Sequence, residues 1–146
     1  MNKKIVLATD HAGFELKEHV KRVLLNKGLE IKDFGANSYN SQDDYPDFIS
    51  PAAKYIVSNN LLGIIFGGSG QGEAIAANRI KGIRAAVFYN GPDEIIQLSR
   101  LHNNANILSI GARFVDKDRA EEVIDLWLSA SFETGRHQRR IEKLDS

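Results

Sequence analysis

The sequence predicts an α/β fold: a three-layer α/β/α doubly wound sandwich on a five-stranded parallel sheet, followed by a C-terminal helix. Two observations carry this. Five short apolar runs alternate along the 146 residues with longer amphipathic stretches, and the runs are apolar at consecutive positions rather than at every second one. Strands covered on both faces have that composition, and strands separated by helices pair in parallel. Right-handed crossovers then place helices on both faces. The expected strand order is 2-1-3-4-5. One domain over 1–146 is expected, a length that buries a continuous core unaided.

Ile5-Val6-Leu7-Ala8 is the first strand. Phe14 to Lys27 sets Leu16, Val20, Val23 and Leu24 on one helical face, with Gly28 as its stop. Leu29 to Phe34 is the second strand, ended by Gly35. Asp47 to Val57 reads as a helix with Pro46 and Pro51 near its start, where proline is tolerated. Leu62 to Phe66 is the third strand, and a glycine loop then opens an alanine-rich helix over Glu73 to Arg79. Ile83 to Phe88 and Asn106 to Ile110 are the last strands, separated by a helix over Pro92 to Leu101. Asp118 to Ala130 turns Ala120, Val123, Ile124, Trp127 and Leu128 inward, and a short helix covers 135–144.

Basic and acidic residues number 19 each, a formal charge of zero. That balance argues against bulk binding of nucleic acid or anionic membrane. The absence of cysteine excludes a disulfide scaffold, a thiolate zinc site and a cysteine nucleophile or base. It also fits a reducing cytoplasm. After Met1-Asn2-Lys3-Lys4 the first apolar run is too short for a signal-peptide core or a membrane span, so a cytoplasmic location is expected.

The loop Gly67-Gly68-Ser69-Gly70-Gln71-Gly72 has four glycines in six residues, more than a tight turn needs. Glycines allow positive φ and close approach of a ligand, and successive amides at a helix N-terminus make an anion site. Glu73 stands where a P-loop needs lysine and where a dinucleotide loop needs its third glycine. A carboxylate there suits removal of a proton from carbon while amides stabilise the oxyanion that forms. The plainer alternative is an acid favoured by the helix dipole.

Asp10-His11 ends the first strand. Strands 1 and 3 should be neighbours at the switch point, so both residues should face the loop; otherwise Asp10 is a helix N-cap and His11 a surface residue. Arg136 and Arg140 lie one helical turn apart, suited to a phosphate dianion or else forming a solvated basic tail. His137, Ile141 and Leu144 form a separate, more apolar stripe that can dock this helix. Arg113 follows the fifth strand and is a candidate for the same clamp. His102-Asn103 ends a crossover helix, at the opposite edge of the sheet from the crevice. If His102 is catalytic rather than a core or capping residue, it must serve a neighbouring subunit's site.

Several strings together resemble the type B ribose-5-phosphate isomerases and their galactose- and allose-6-phosphate isomerase relatives, over nearly the whole chain. They are Thr9-Asp10-His11-Ala12-Gly13-Phe14, Asp44-Tyr45-Pro46, Gly68-Ser69-Gly70-Gln71-Gly72 with Ile75-Ala76-Ala77-Asn78, Gly82-Ile83-Arg84-Ala85-Ala86, Leu98-Ser99-Arg100, His102-Asn103 and Gly135-Arg136-His137-Gln138. The resemblance implies that Asp10 and His11 contact the sugar, and that Gly68, Ser69, Gly70, Gln71 and Gly72 form the anion hole. His102 would assist ring opening with Asn103 nearby, and Arg113, Arg136 and Arg140 would hold the phosphate. It implies homodimers or tetramers with shared active sites, and no metal or organic cofactor. Many members of that family carry a cysteine base where this chain has Gly67; the sequence resembles the branch with glutamate after the loop.

The expected activity is interconversion of ribose 5-phosphate and ribulose 5-phosphate, a pentose phosphate step, with Glu73 as base and His102, Asp10 and Ser69 assisting. The alternatives are a hexose 6-phosphate isomerase (allose or galactose) and a non-catalytic phosphate- or nucleotide-binding module. The expected partner is a small sugar phosphate, not nucleic acid or membrane.

Overall fold

The computed structural model describes residues 4–146, so the reading of Met1-Asn2-Lys3 lies outside the described residues. Strands β1 (Lys4–Thr9), β2 (Glu30–Asp33), β3 (Leu62–Gly67), β4 (Ala85–Phe88) and β5 (Ile107–Gly111) form a parallel sheet. They alternate with helices α1 (Phe14–Asn26), α2 (Pro46–Asn59), α3 (Gln71–Asn78) and α4 (Asp93–Leu101), and α5 (Lys117–Ser129) and α6 (Arg136–Glu142) follow β5.

The strand order is β2-β1-β3-β5-β4. The first three places match the expectation, and the last two strands are exchanged. The reason lies in their burial: all five residues of β5 are buried, whereas only Phe88 is fully buried in β4. The strand with the larger apolar side chains, Ile107, Leu108 and Ile110 against Ala85 and Ala86, takes the interior place beside β3, and the half-exposed one forms the edge.

Alternation along each strand divides the core into two layers. Ile5 and Leu7 of β1, Ile64 and Phe66 of β3, and Leu108 and Ile110 of β5 pack with Leu16, Val20 and Leu24 of α1, Ile96 of α4, and Val123, Ile124 and Trp127 of α5. Val6, Ala8, Ile65 and Ile107 point the other way, onto Ile49, Ala52, Ala53 and Ile56 of α2 and Ala77 of α3. Pro46 occupies the start of α2, but Pro51 is inside that helix rather than near its entry. Its ring faces solvent, where the missing N–H costs least. The αL residue Asn60 ends α2 and Gly28, at φ 86°, follows α1, as helix ends require.

An ion cluster fixes β2 to α1. Lys17 is fully buried; its ammonium donates to both Asp33 carboxylate oxygens at 2.8 Å and to the Ala36 carbonyl at 2.7 Å. Lys21 reaches the same Asp33 at 2.9 Å. Burial pushes the Asp33 carboxyl up, but the Lys17 hydrogen bond, the Gly35 amide and Lys21 outweigh it, and it titrates below the usual aspartate range. Such a carboxylate stabilises the fold above its unfolded pKa, and the contribution is lost as pH falls through the lower folded value. Replacing Lys17→Met strips Asp33 of its buried partner. In urea unfolding at neutral pH this variant should lose about 3–5 kcal/mol, and its stability should fall less steeply in acid than that of the wild type.

Candidate active site

β1 and β3 pair directly, with Thr9 opposite Phe66, and the Thr9 hydroxyl donates to the Phe66 carbonyl at 2.9 Å. A Cβ on Gly13 would collide with Thr9 and Phe66, so only glycine lets the tight turn His11–Gly13 sit down on β3. That turn presents the candidate pair. The Asp10 carboxylate caps it, accepting from the Ala12 amide at 3.0 Å; the capping alternative for Asp10 is thus real and compatible with facing the site. The His11 amide and Nδ1 both contact Asp43 Oδ1, at 3.1 and 2.7 Å. A carboxylate only accepts, so Nδ1 carries the proton and Nε2 is left for the crevice. The Asp43 bond is the main cause of a His11 pKa raised above the usual histidine value, with Asp10 adding to it and Arg113 opposing it. The remaining Asp43 oxygen is buried without a partner.

The glycine loop leaves β3 and opens α3. Gly70 adopts φ 79°, and a Cβ there would press on Gly111 at the end of β5. The Ala112 and Arg113 amides donate to the Gly67 and Gly68 carbonyls at 2.8 and 3.1 Å, and the Ser69 hydroxyl accepts from the Gln71 amide at 3.3 Å. The N-cap residue Gly70 supplies no side-chain cap to α3, so among its first-turn amides a bound anion would have to displace only the long Ser69 bond to the Gln71 amide and would meet the Gly72 amide directly. The Arg113 guanidinium lies over Gly68, and the Tyr45 ring covers Gly72.

Glu73 sits in the first turn of α3 and is only 4% exposed. Its carboxylate occupies the space that a side chain at position 67 would need: any Cβ on Gly67 would overlap it. Burial pushes the Glu73 carboxyl above the usual glutamate range; its own amide and His11 work against the shift, and Asp10 adds to it. Glu73, Asp10, His11 and Arg113 therefore share one electrostatic environment at the carboxyl ends of β1, β3 and β5. A carboxylate whose proton affinity is raised by burial is a stronger proton acceptor than a free one, as proton transfer requires.

The other candidates gather elsewhere. His102, Asn103, His137 and Arg140 line a separate cavity of about 280 Å3 with Ile141 and Leu144. His102 caps α4 at the amino-terminal end of β5, which puts about 16 Å of strand between it and the glycine loop. The His102 and His137 rings are stacked, 4.1 Å apart and 12° from parallel. Glu133 Oε1 lies 3.4 and 3.7 Å from their Nε2 atoms. Burial, then the neighbouring His102 and Arg136, hold His137 below the usual histidine pKa. Arg136 and Arg140 are exposed. The docking stripe of α6 holds only in part: His137 is buried, Ile141 half-buried, and Leu144 67% exposed. Within one chain Arg113 belongs to the Glu73 crevice, so the three arginines do not form a single clamp.

Sequence reasoning missed Asp43 and Tyr45 as site residues. Neither lies in a periodic element, and the only local signal was the string Asp44-Tyr45-Pro46. Two groups, Asp10-His11-Asp43 and His102-Glu133-His137, are close enough to share a cation. In the first, Asp43 is already engaged by the His11 ring. In the second, near-parallel stacking points the two imidazole lone pairs alongside each other rather than at one centre, a poor match to tetrahedral ligation.

A buried carboxylate beside a glycine loop, on a parallel doubly wound sheet, defines the class to which the chain can be compared. The chain belongs to the ribose/galactose isomerase family, whose model matches residues 5–144. It is 40% identical over 143 residues to the ribose-5-phosphate isomerase B of Escherichia coli, covering 97% of this chain and 94% of that one. The ribose 5-phosphate isomerase structure from Thermotoga maritima superposes with a TM-score of 0.93 at 46% identity, over 99% of both chains. The ribose-5-phosphate isomerase B of Mycoplasma genitalium, solved with bound ribulose-5-phosphate, superposes with a TM-score of 0.91 at 39% identity, over 97% of this chain and 93% of that one.

The packing of Glu73 against Gly67 is open to direct test. Carboxyl 13C NMR should find Glu73 titrating above the ordinary glutamate range. In Gly67→Ala the carboxylate is driven from its seat, and its titration should return towards the ordinary value.

Proposed function

We propose that the chain is an aldose–ketose isomerase interconverting ribose 5-phosphate and ribulose 5-phosphate, acting as one domain. The observation that carries this is the buried Glu73 carboxylate, raised in pKa and seated beside the amides that open α3. The names of the relatives and the bound ribulose-5-phosphate in the Mycoplasma genitalium structure support the substrate.

With the sugar ring open, the Glu73 carboxylate takes the proton from C2. The electron pair of the C–H bond forms the C1–C2 double bond, and charge develops on O1. The amides of Gly68, Ser69, Gly70, Gln71 and Gly72 face that charge, which gives a cis-enediolate. The hydroxyl proton on O2 passes to O1, and protonated Glu73 delivers its proton to C1, leaving the ketone at C2. Asp10 and His11 hold the sugar hydroxyls. His102, with Asn103 and assisted by Asp10, opens the ring, and Arg113, Arg136 and Arg140 bind the phosphate, whose binding energy aligns the reacting carbons.

Because one chain carries Glu73 and His102 at opposite ends of the sheet, the working unit in this reading is a homodimer, or a tetramer built from it, with each site drawn from two subunits. The exposed Ile75 beside the crevice and exposed Leu144 beside His102 support such a face. No helix among the described residues is long and apolar enough to cross a membrane, which is compatible with a cytoplasmic place in the pentose phosphate steps.

Glu73→Gln should lower kcat by about 10²–10⁴-fold while ribose 5-phosphate still binds. Assays with allose 6-phosphate and galactose 6-phosphate alongside should show the pentose preferred. The base must be ionised to act, so the acid limb of kcat/KM should lie above the ordinary glutamate range, following the raised Glu73 value. Sharing of sites has its own readout. Glu73→Gln and His102→Ala proteins, each inactive, should regain about a quarter of wild-type activity when unfolded together in equal amounts and refolded, because half the dimers then hold one intact site. Mixtures that stay inactive would place both residues in one chain's site.

A further inference from the structure

The opposite, amino-terminal end of the sheet carries cations that the isomerase chemistry does not use. Arg84, just before β4, and Arg100, in the last turn of α4, are both half-buried. Their hydrogen bonds go to neutral acceptors. Arg84 Nε donates to the Asn104 carbonyl at 2.8 Å and Nη1 to the Gly82 carbonyl at 3.3 Å. Arg100 Nη1 donates to Asn104 Oδ1 at 3.2 Å and to the Ala105 carbonyl at 2.6 Å, and the guanidinium lies 5.6 Å from the Trp127 ring.

No ion pair to either guanidinium is formed among the described residues. The carboxylate whose field reaches Arg84 is that of Asp145, which is bonded to the Gly82 amide at 3.0 Å. Arg100 Nε is buried and has no acceptor at all. Burial pushes both groups below the usual arginine pKa, and Arg84 pushes Arg100 further, yet a guanidinium stays protonated in a protein. Two neighbouring half-buried cations without an ion pair are costly, and a carboxylate or phosphate offsets that cost through paired N–H···O bonds.

There is room for one. Both arginines line a cavity of about 540 Å3 with Asn60 and Asn106, and Ile5, Leu62 and Leu128 add apolar wall to it. That volume falls in the range of roughly 300–1,000 Å3 typical of small-molecule sites. We propose that this cavity is a second anion site, separate from the Glu73 crevice, which takes a small organic oxyanion, its carboxylate or phosphate head held by Arg84 and Arg100 and its short apolar body on the Ile5–Leu62–Leu128 wall. Both guanidiniums also hold Asn104, two residues beyond His102, so occupancy reaches the turn that carries His102.

The test is an NMR titration of 15N-labelled full-length protein with inorganic phosphate, acetate and hexanoate, in the wild type and in Arg140→Ala. The exposed Arg140 contributes nothing to this cavity, so its removal separates the two anion sites. The expected result is saturable movement of the Arg84 and Arg100 Nε–H signals and of the 104–106 amides with all three probes, unchanged in Arg140→Ala. Hexanoate should bind at least about tenfold tighter than acetate through its buried methylenes. Shifts confined to the Gly68–Gly72 and Arg136–Arg140 signals, or lost in Arg140→Ala, would overturn the site. Equal affinity for acetate and hexanoate would overturn the apolar half of the assignment.

Discussion

The chemistry of this protein depends on a steric exclusion. The Glu73 side chain folds back over the end of β3, and it can do so because residue 67 has no side chain. A larger residue at 67 and a buried Glu73 are alternatives for one volume. That places the carboxylate where β1, β3 and β5 end together, and the same burial that shields it from water raises its proton affinity. The position, the protonation state and the access of the carboxylate thus have one cause. Around it the fold makes small adjustments: Gly13 seats the Asp10–His11 turn against Phe66, and Gly70 presses the loop on Gly111.

The sheet sets the larger arrangement. Parallel strands collect their carboxyl ends on one edge and the ends of their crossover helices on the other. Glu73, Asp10, His11 and Arg113 fall on the first edge, and His102, Asn103 and His137 on the second. Proton transfer and the groups assigned to ring opening are therefore separated within a chain by the length of β5. In the proposed reading a second subunit reunites them, and association is then part of catalysis. The amino-terminal edge also collects Arg84 and Arg100, neither of which forms an ion pair among the described residues.

Much of this was legible in the residue pattern. Every strand and helix lies within a few residues of its sequence-based span, because apolar runs and helical stripes here agree with the glycine and proline signals around them. Glu73 stood out because it breaks both phosphate-loop patterns. The order of β4 and β5 was not legible from alternation, which is identical for either arrangement; only the larger side chains of Ile107, Leu108 and Ile110 against Ala85 and Ala86 distinguish them. The Asp43–His11 bond spans 32 residues and joins a loop to a turn, so no local period could signal it. The seating of Glu73 on Gly67 was equally hidden, since the two are six residues apart and meet only through the reversal of the glycine loop. That Arg113 stands apart from Arg136 and Arg140 within one chain was not legible either, because these residues follow opposite ends of the sheet and only the topology shows it.

The most direct test of Glu73 as the proton carrier is to follow the sugar's own hydrogens. In deuterium oxide, proton NMR of ribulose 5-phosphate with the wild-type protein should show a C1 hydrogen replaced by deuterium, since a proton held on a carboxyl oxygen exchanges with the solvent between abstraction and return. With Glu73→Gln that exchange should be abolished although the sugar phosphate still binds. Deuterium wash-in by the variant at the wild-type rate would mean that another group moves the proton.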